Sequence, residues 1–184
     1  HTRCCKVCCR GFCDKDVLVD VAVNGNVSTY QFVKPEMVPK IIDEHIVTGN
    51  PIDEWLVGDE YVEFHNNQQK LILENCGRID PESIDDYMAV GGYNAAEKAL
   101  AMEPEAVIDI IKKSGLRGRG GAGFPTGIKW ESCRKAEGNI KYVLCNADEG
   151  DPGAFMDRSI LESDPFKLIE GMILGAYAIG ANIG

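Results

Sequence analysis

The amino-acid sequence predicts an α/β fold in two parts: a small α/β domain and, after a polar linker, a larger α/β region. Three observations predict it. Apolar and less apolar residues alternate from Val17 to Val23, which is the period of a half-buried strand. Signals for helix starts and ends recur between residues 80 and 115. A short apolar run at residues 141–145 is typical of a buried strand, and a strongly apolar helix follows it.

The small domain is predicted to contain a hairpin and a helix. Asn24-Gly25 supplies turn residues that accept a positive φ, and residues 29–33 can return as the second strand. A helix is expected to start near Pro35, where a missing N–H costs nothing, and to stop at Gly49. We expect His45 on this helix to be partly exposed. The apolar side chains expected on one face are Val38, Ile41, Ile42 and Ile46.

The larger region is predicted to begin with helices. Residues 50–69 are polar and aperiodic, so we place a linker there. Gly91-Gly92 separates the first two helices, and Gly115 ends the third. The last helix is apolar nearly all round, with Gly171 and Gly175 one turn apart, so we expect it inside a large α/β core. The expected helix starts are Asp80-Pro81, Ala95, Pro104 and Asp164-Pro165.

The composition argues against two classes of partner. A net charge of -10 over 184 residues disfavours nucleic acid, whose phosphates require a basic face. The longest apolar stretch, residues 172–179, is far shorter than the roughly 20 residues of a membrane span, so we expect no direct membrane insertion. Because the chain opens with His1 rather than Met and closes at Gly184, just after a helix, we expect a fragment of a longer protein.

Five of the eight cysteines crowd near the start of the chain, with no secretory signal before them. A disulfide framework would spread its cysteines along the chain, so the crowding favours a reducing compartment with metal or redox chemistry. We therefore expect a cytoplasmic protein. The crowded cysteines are Cys4, Cys5, Cys8, Cys9 and Cys13.

A glycine-rich loop at residues 115–127 contains the spacing G-x-G-x-x-G. A Rossmann fingerprint follows a strand, whereas this loop follows a helix, and no Gly-Lys-Ser/Thr closes it as a P-loop. Several glycines still let a backbone approach an anion closely. Arg117, Arg119 and Lys129 add positive charge, so the loop predicts a phosphate-bearing ligand. The alternative is a flexible loop whose cations are solvated.

Acidic and amide side chains follow the expected strand at residues 141–145. Ligands of open α/β sheets bind at the carboxyl ends of strands, where such groups could accept hydrogen bonds from sugar or ribityl hydroxyls. They could also bind a divalent cation, although the spacing does not fit an EF-hand, or they could form a solvated turn. The residues concerned are Asn146, Asp148, Glu149 and Asp151.

In these two motifs the chain resembles the NADH-binding flavoprotein subunit of respiratory complex I. It is still more similar to the homologous subunit of NAD(P)-linked iron-only and electron-bifurcating hydrogenases. The motifs read SGLRGRGGAGFPTGIKW at residues 114–130 and YVLCNADEGDPGAFMDR at residues 142–158. The resemblance continues through NCGRIDPESIDDYMAVGGY and DPFKLIEGMILGAYAIGAN, and so covers residues 75–184.

The resemblance implies roles for these residues. The glycine loop holds nucleotide phosphates, Phe124 stacks on the NADH adenine and Lys129 contacts the flavin site. The acidic loop binds the FMN ribityl chain and ring, with Asp151 near the nicotinamide where complex I subunits usually carry Glu. A second stacking aromatic of the family is replaced here by Ser132. The implied cofactor-binding residues are Gly118, Arg119, Gly120, Gly121, Ala122, Gly123, Phe124, Gly127, Lys129, Asn146, Asp148, Glu149 and Asp151.

The cysteine-rich start resembles part of the thioredoxin-like [2Fe-2S] domain that hydrogenase-type subunits often carry. CRGFC, with Cys9 and Cys13, matches its second ligand pair, and close thiolates suit iron–sulfur binding. The first pair is missing, and Asp16 stands where the family usually has Pro. A zinc site among the five crowded cysteines, or reactive thiols without a metal, are alternatives. The isolated cysteines, expected in or near the core, are Cys76, Cys133 and Cys145.

The resemblance implies a partial thioredoxin-like ferredoxin domain followed by the start of an FMN/NADH-binding α/β domain, with a helical lead-in and then a Rossmann-like sheet. Residues 1–57 would form the C-terminal half of the [2Fe-2S] domain, and residues 58–75 would form the linker. Residues 76–184 would form the N-terminal part of the flavin domain. The [4Fe-4S] ligands are expected in a part of the protein beyond this chain.

The implied function is that of an NAD(P)H:acceptor oxidoreductase subunit. Hydride passes between nicotinamide nucleotide and FMN, and single electrons pass to iron–sulfur clusters, within a hydrogenase or NADH dehydrogenase complex. No side chain is expected to act as a general acid or base, and the chain alone is expected to be inactive. NAD and NADP are not distinguished. The alternatives are a non-catalytic scaffold fragment and a small zinc or redox-sensing thiol module.

Overall fold

The computed structural model describes residues 3–184, which form two compact units. One unit is Cys9–Glu74. The other consists of the described residues up to Cys8 together with Asn75–Gly184. Residues 3–184 thus form a mixture of helices and one small sheet, in agreement with the coarse α/β prediction.

The hairpin of the Cys9–Glu74 unit forms as predicted, with β1 at Val19–Val23 and β2 at Asn26–Tyr30. Asn24 and Gly25 both adopt positive φ, of 51° and 82°, as a two-residue hairpin turn requires. Because the turn is this tight, β2 begins three residues earlier than expected. The core of the unit consists of Val21, Tyr30, Val33, Ile41 and Ile52.

A composite helix follows the hairpin. It passes from a 3₁₀ turn at Pro35–Met37 through α1 at Val38–Lys40 to a π-helical segment at Ile41–Val47. The predicted apolar face is partly wrong, because Val38 and Ile42 are each more than 40% exposed. Ile41 is buried and Ile46 packs against the core, both as predicted, and the additional inward residue is His45, one turn after Ile41.

The partial exposure expected for His45 is also wrong, since this residue is only 2% exposed. Its Nδ1 lies 2.8 Å from Tyr30 Oη, and the amide of Ile52 donates to the same hydroxyl at 3.2 Å. Tyr30 Oη and His45 Nδ1 therefore share a buried hydrogen bond, whose direction is set by the imidazole tautomer, and this bond gives a polar partner to a ring that would otherwise be costly inside the unit.

The segment interpreted as a linker contains regular structure. A 3₁₀ turn forms at Asp53–Trp55, and helix α2 spans Asp59–Asn66 with Tyr61 buried. Backbone hydrogen bonds attach the segment to β2, from Gln31 N to Trp55 O and from Val57 N to Thr29 O, each at 3.0 Å. Residues 55–57 are therefore hydrogen-bonded to the hairpin, and regular structure continues through α2.

The second unit is helical. Its helices are α3 at Ile84–Ala89, α4 at Asn94–Leu100, α5 at Pro104–Ser114, α6 at Thr126–Lys135, α7 at Met156–Ser163 and α8 at Pro165–Ile179. The starts predicted at Ala95, Pro104 and Asp164-Pro165 agree within one residue. The first helix begins later than Asp80-Pro81, because Ser83 caps it by accepting a hydrogen bond from Asp86 N. Helices α6 and α7 are absent from the sequence-based prediction.

A small apolar core and one buried carboxylate join these helices. The core consists of Ala99, Val107, Ile108 and Ala178, with Trp130, Leu174 and Tyr177 packed against it. Glu170 on α8 is 7% exposed and accepts hydrogen bonds from Tyr87 Oη and, at 2.9 Å each, from the amides of Tyr93 and Ala96. This carboxylate ties α8 to the junction between α3 and α4.

The prediction of a buried strand at residues 141–145 is wrong, because these residues form no regular strand. A single parallel bridge pairs Tyr142 with Ile183, and Leu144 is 80% exposed. Among residues 3–184 the two-stranded hairpin is the one sheet, so the segment has no neighbouring strands to bury it. For the same reason α8 is not enclosed as expected, and Ile169 and Ile173 remain partly exposed.

None of the helices formed by residues 3–184 combines the length and apolar character that a membrane crossing requires.

Candidate functional site

The glycine-rich segment forms a closed loop between α5 and α6. Gly115 ends α5 in the left-handed conformation, with a φ of 70°. The amide of Gly118 donates to Phe124 O at 2.9 Å, and Arg117 Nε donates to Gly123 O at 2.6 Å. These hydrogen bonds join the two ends of the loop at its base and leave the tip, residues 119–122, open to solvent.

The tip is open and cationic. A Cβ built on Gly120 or Gly121 would meet no atom within 4 Å, so the backbone there is accessible to a ligand. Arg119 and Lys129 are exposed, and the Phe124 ring is 56% exposed. An anionic ligand could therefore reach the backbone and the Arg119 cation at the tip, while Lys129 is exposed in the first turn of α6.

Gly127 has a different role from the glycines of the tip. It is buried in the first turn of α6, and a Cβ at this position would lie 2.7 Å from Lys112 N and 2.9 Å from Lys112 Cα. The absence of a side chain thus permits close packing of α6 on α5. An ion pair of 2.8 Å between Lys112 and Glu131 joins the same two helices.

A cleft of about 410 Å³ lies where the loop leaves α5 and enters α6. Its apolar lining consists of Ile111, Leu116, Pro125 and Ile128. The cleft is therefore a depression beside the anchored base of the loop, and the open tip lies further along the chain.

The acidic loop is shaped by its own side chains. Asn146 Oδ1 accepts a hydrogen bond from Asp148 N at 3.2 Å. Glu149 adopts a φ of 46°, and its two carboxylate oxygens accept hydrogen bonds from Asp157 N at 2.7 Å and Arg158 N at 3.0 Å. Glu149 thereby caps the first turn of α7. Asp148 and Asp151 are exposed.

Helix α8 supports both loops. A Cβ on Gly175 would lie 3.5 Å from Trp130 of α6 and 3.8 Å from Val143, which leads into the acidic loop. Lys141 Nζ also donates to Arg134 O at the end of α6, at 2.5 Å. The segments that carry the two predicted motifs therefore meet at one face of α8.

The two cysteines predicted as metal ligands lie together in the Cys9–Glu74 unit. Their Sγ atoms are 3.6 Å apart, and the amide of Gly11 donates to Cys9 Sγ at 3.3 Å. Two thiolates on one tetrahedral zinc would lie about 3.8 Å apart, since a zinc–sulfur bond is about 2.3 Å long. The pair thus has the spacing for two ligands of a single metal ion.

Hydrogen bonding to the Cys9 thiol, reinforced by the charge on Cys9, raises the pKa of Cys13. Both side chains are exposed. Across the part of the chain that the structure describes, no group of three or more His, Cys, Asp or Glu side chains is placed to hold a metal ion. The described residues therefore offer a pair of thiols and not a complete ligand set.

The isolated cysteines differ in burial. Cys76 is buried and Cys133 is half-buried, as expected for core or near-core positions. Cys145 is exposed, so the expectation for this residue is wrong, because the strand that should have buried it does not form.

Sequence reasoning missed two features near the predicted sites. One is the Glu149 cap of α7, whose only sequence signal is a carboxylate seven residues before the helix. The other is an aromatic cluster in which Phe12, beside Cys13, contacts Tyr61, Phe64 and His65 of α2. The spacing of these three aromatic residues at 61, 64 and 65 is that of one helix face and could have identified it.

Comparison with known proteins agrees with the resemblance seen in the sequence. Residues 111–184 match the family model of the Nuo51 FMN-binding domain. The NADP-reducing hydrogenase subunit HndC of Solidesulfovibrio fructosivorans is 57% identical over 117 residues, which are 64% of this chain and 24% of that protein. A subunit of the NADH-quinone oxidoreductase of Aquifex aeolicus (strain VF5) is 54% identical over 112 residues, 61% of this chain and 26% of that protein.

The NAD+-reducing [NiFe]-hydrogenase in the air-oxidized state superposes with a TM-score of 0.49 and 31% identity, over 84% of this chain and 25% of that chain. The family model and the sequence relatives confirm the predicted resemblance to a subunit of NADH-quinone oxidoreductase and to NAD(P)-reducing hydrogenase subunits. The chain spans about a quarter of the length of the two curated relatives named here.

Proposed function

We propose that this chain is part of an NAD(P)H:acceptor oxidoreductase subunit in which its glycine loop and acidic loop contribute to an FMN and nicotinamide nucleotide site. The observation that carries the proposal is the match of residues 111–184 to an FMN-binding domain, because this span contains both loops. The open, cationic tip of the glycine loop supports it, since both cofactors carry phosphate.

The residues present fit a phosphorylated ligand. The backbone at Gly120 and Gly121 is accessible, and Arg119 and Lys129 supply exposed positive charge in a chain with a net charge of -10. Phe124 offers an exposed ring on which adenine can stack. Gly127 would contribute indirectly, by holding α6 against α5 and thereby fixing the loop.

The acidic loop would bind hydroxyl groups. Asn146 and Asp148 present oxygen atoms that can accept hydrogen bonds from a ribityl chain, and Asp151 is exposed beside them. When bound, the flavin supplies hydride acceptance and single-electron release, so the protein supplies binding and orientation. No side chain of the chain needs to donate or remove a proton as a general acid or base.

Asp151 would weaken the binding of the negatively charged nucleotide and so assist its release. Replacing Asp151 with Asn should therefore change nicotinamide nucleotide affinity while leaving FMN affinity unchanged. Equal nucleotide affinity in the two proteins would contradict this role.

FMN titration tests the proposed site. Flavin fluorescence should be quenched as the chain is added, and Arg119→Ala or Lys129→Ala should weaken binding by about tenfold or more, since a charge-assisted contact contributes about 1.5–3 kcal/mol. Lys113→Ala removes an exposed cation at the end of α5 and serves as the matched control. Absence of quenching by the unmodified chain would favour the scaffold alternative.

Cys9 and Cys13 would act as two ligands of a [2Fe-2S] cluster, within an assembly of further hydrogenase or NADH dehydrogenase subunits. Metal analysis separates this from the second candidate, a zinc-binding thiol module. The cluster requires iron together with acid-labile sulfide, whereas the module requires zinc without sulfide. The 3.6 Å spacing of the thiols is compatible with either metal.

A further inference from the structure

The loop that contains Cys9 and Cys13 is attached to the rest of its unit by the side chains of Arg10 and Phe12. Arg10 donates to Asp20 of β1 at 2.9 Å and lies over the Tyr61 ring, 5.9 Å from its centroid. Phe12 packs against helix α2. Since both side chains turn toward the body of the unit, the two exposed thiols are left on its outside.

Helix α2 receives the Phe12 ring between three aromatic side chains. The ring centroids of Tyr61 and Phe64 both lie 5.1 Å from that of Phe12, and His65 lies at 6.1 Å. Tyr61 and His65 are themselves 4.4 Å apart, edge to face. These separations are those of favourable aromatic pairs.

The His65 ring packs in this cluster as an apolar group. Within the described residues its Nε2 is buried without a hydrogen-bond partner. Burial, with smaller contributions from Lys70 and Arg10, lowers the pKa of His65, so the ring is neutral at pH 7 and packs as an aromatic group.

A second anchor lies just after the loop. Lys15 Nζ pairs with Glu60 of α2 at 2.8 Å and lies over the Phe32 ring at 5.5 Å. Lys15 also ends the 3₁₀ turn Cys13–Lys15, whose first residue is the second cysteine. Helix α2 therefore holds the chain on both sides of Cys13, by ring packing before it and by an ion pair after it.

We propose that helix α2 positions the CRGFC loop so that Cys9 and Cys13 form a preorganised bidentate site for a soft metal ion. The inference rests on the proposed role of these cysteines as metal ligands and is independent of the flavin site. It assigns a role to Tyr61, Phe64 and His65, which lie in a segment that sequence patterns indicate as a linker. Outer contacts that orient metal ligands commonly change affinity by about 10- to 100-fold.

Phenylarsine oxide is a direct probe of a dithiol pair. Two As–S bonds form, the As=O oxygen takes both thiol protons and leaves as water, and no electron is transferred. The assay uses the full chain with Cys4, Cys5 and Cys8 replaced by serine, so that the exposed pair is the main bidentate target. N-ethylmaleimide, which reacts with one thiol at a time, reports the accessibility of each cysteine.

Phe64→Ala is the main test variant, because Phe64 is 40% exposed and its truncation is tolerated better than that of a buried residue. Val62→Ala is the matched control on the same helix, at a side chain that is 49% exposed. We expect Phe64→Ala to weaken arsenical binding by about 10-fold or more while the maleimide rates stay unchanged, and Val62→Ala to leave both unaltered.

Tyr61→Ala, at a buried ring, should weaken arsenical binding further, and Tyr61→Phe should restore it because the ring remains. Equal arsenical affinity in Phe64→Ala and Val62→Ala would overturn the positioning role of α2. If the unmodified pair binds the arsenical no better than a single thiol, the preorganised site itself is overturned. Neither result alters the FMN titration, so failure here is distinguishable from failure of the flavin proposal.

Discussion

Gly127 and Gly171 show how the surroundings of a glycine decide whether its replacement by alanine raises or lowers the unfolding free energy. Gly127→Ala would press a methyl group against the Lys112 backbone at 2.7–2.9 Å, so we expect a loss of about 1–3 kcal/mol in unfolding free energy. Gly171→Ala meets no atom within 4 Å on α8 and should stabilise the chain by up to about 1 kcal/mol. Urea denaturation of both variants checks this. Destabilisation by both would contradict the packing difference.

The buried carboxyl group of Glu170 predicts that the stability of the chain depends on pH. Burial of its carboxyl opposes ionisation, but hydrogen bonds from Tyr87 and from the amides of Tyr93, Ala96 and Ala95 outweigh burial and hold the pKa of Glu170 below its ordinary value of 4.5. A lowered folded-state pKa means that the stabilisation is complete above the unfolded value and is lost as the pH falls through the folded one.

Glu170→Gln should therefore lower the unfolding free energy by about 2–3 kcal/mol at pH 7, because the charged acceptor of these hydrogen bonds becomes neutral. The difference from the unmodified chain should shrink as the pH falls below 4.5. Glu105→Gln is the control, since its ion pair with Arg134 lies at the surface, where solvent screens it, and its loss should change stability far less. Denaturation at several pH values measures both, and a difference that stays constant with pH would contradict the assignment.

At the scale of the element, the Glu149 cap links the acidic loop to α7. Glu149→Gln leaves one acceptor for two amides, so the first turn of α7 should lose about 1 kcal/mol of stability. Hydrogen exchange at Asp157 and Arg158 should then become about fivefold faster. Asp151→Asn makes the same chemical change two residues away and should leave these amides protected. Identical exchange in the two variants would count against the cap.

The helices that sequence patterns predict carry their own start and stop signals. Helix α5 begins at Pro104 and ends before a left-handed Gly115, and α8 begins behind Asp164, whose side chain accepts a hydrogen bond from Lys167 N. Local chemistry determines these boundaries, so the sequence is sufficient to locate them. The β1–β2 turn at Asn24-Gly25 is local in the same sense.

The elements that sequence patterns do not predict depend on contacts with residues that are distant in the sequence. Helix α6 has no apolar stripe and is held by Gly127 against α5, whereas α7 is capped by Glu149 from a preceding loop. The apolar run at residues 141–145 needs neighbouring strands to become buried, and its one bridge pairs Tyr142 with Ile183. The motifs themselves could be identified from sequence because backbone access and charge are properties of consecutive residues.

At the scale of the whole molecule, an acidic net charge coexists with an exposed apolar patch. The patch consists of Ile140, Tyr142, Leu144 and Ile183, which are between 46% and 80% exposed. A patch of this kind favours association, while a net charge of -10 opposes the approach of a second copy. Salt shortens the range of that repulsion, from about 10 Å at 0.1 M ionic strength to about 3 Å at 1 M.

We therefore expect the chain to self-associate more at high salt than at low salt, as measured by sedimentation velocity. Leu144→Glu places a charge at the most exposed residue of the patch and should reduce the association. Val47→Glu adds the same charge at a comparably exposed apolar residue, 72% exposed, in the other unit and should leave the association nearly unchanged. If both variants reduce the association equally, net charge alone governs it. A larger effect of Leu144→Glu means that the patch provides the attraction and the acidic surface restrains it.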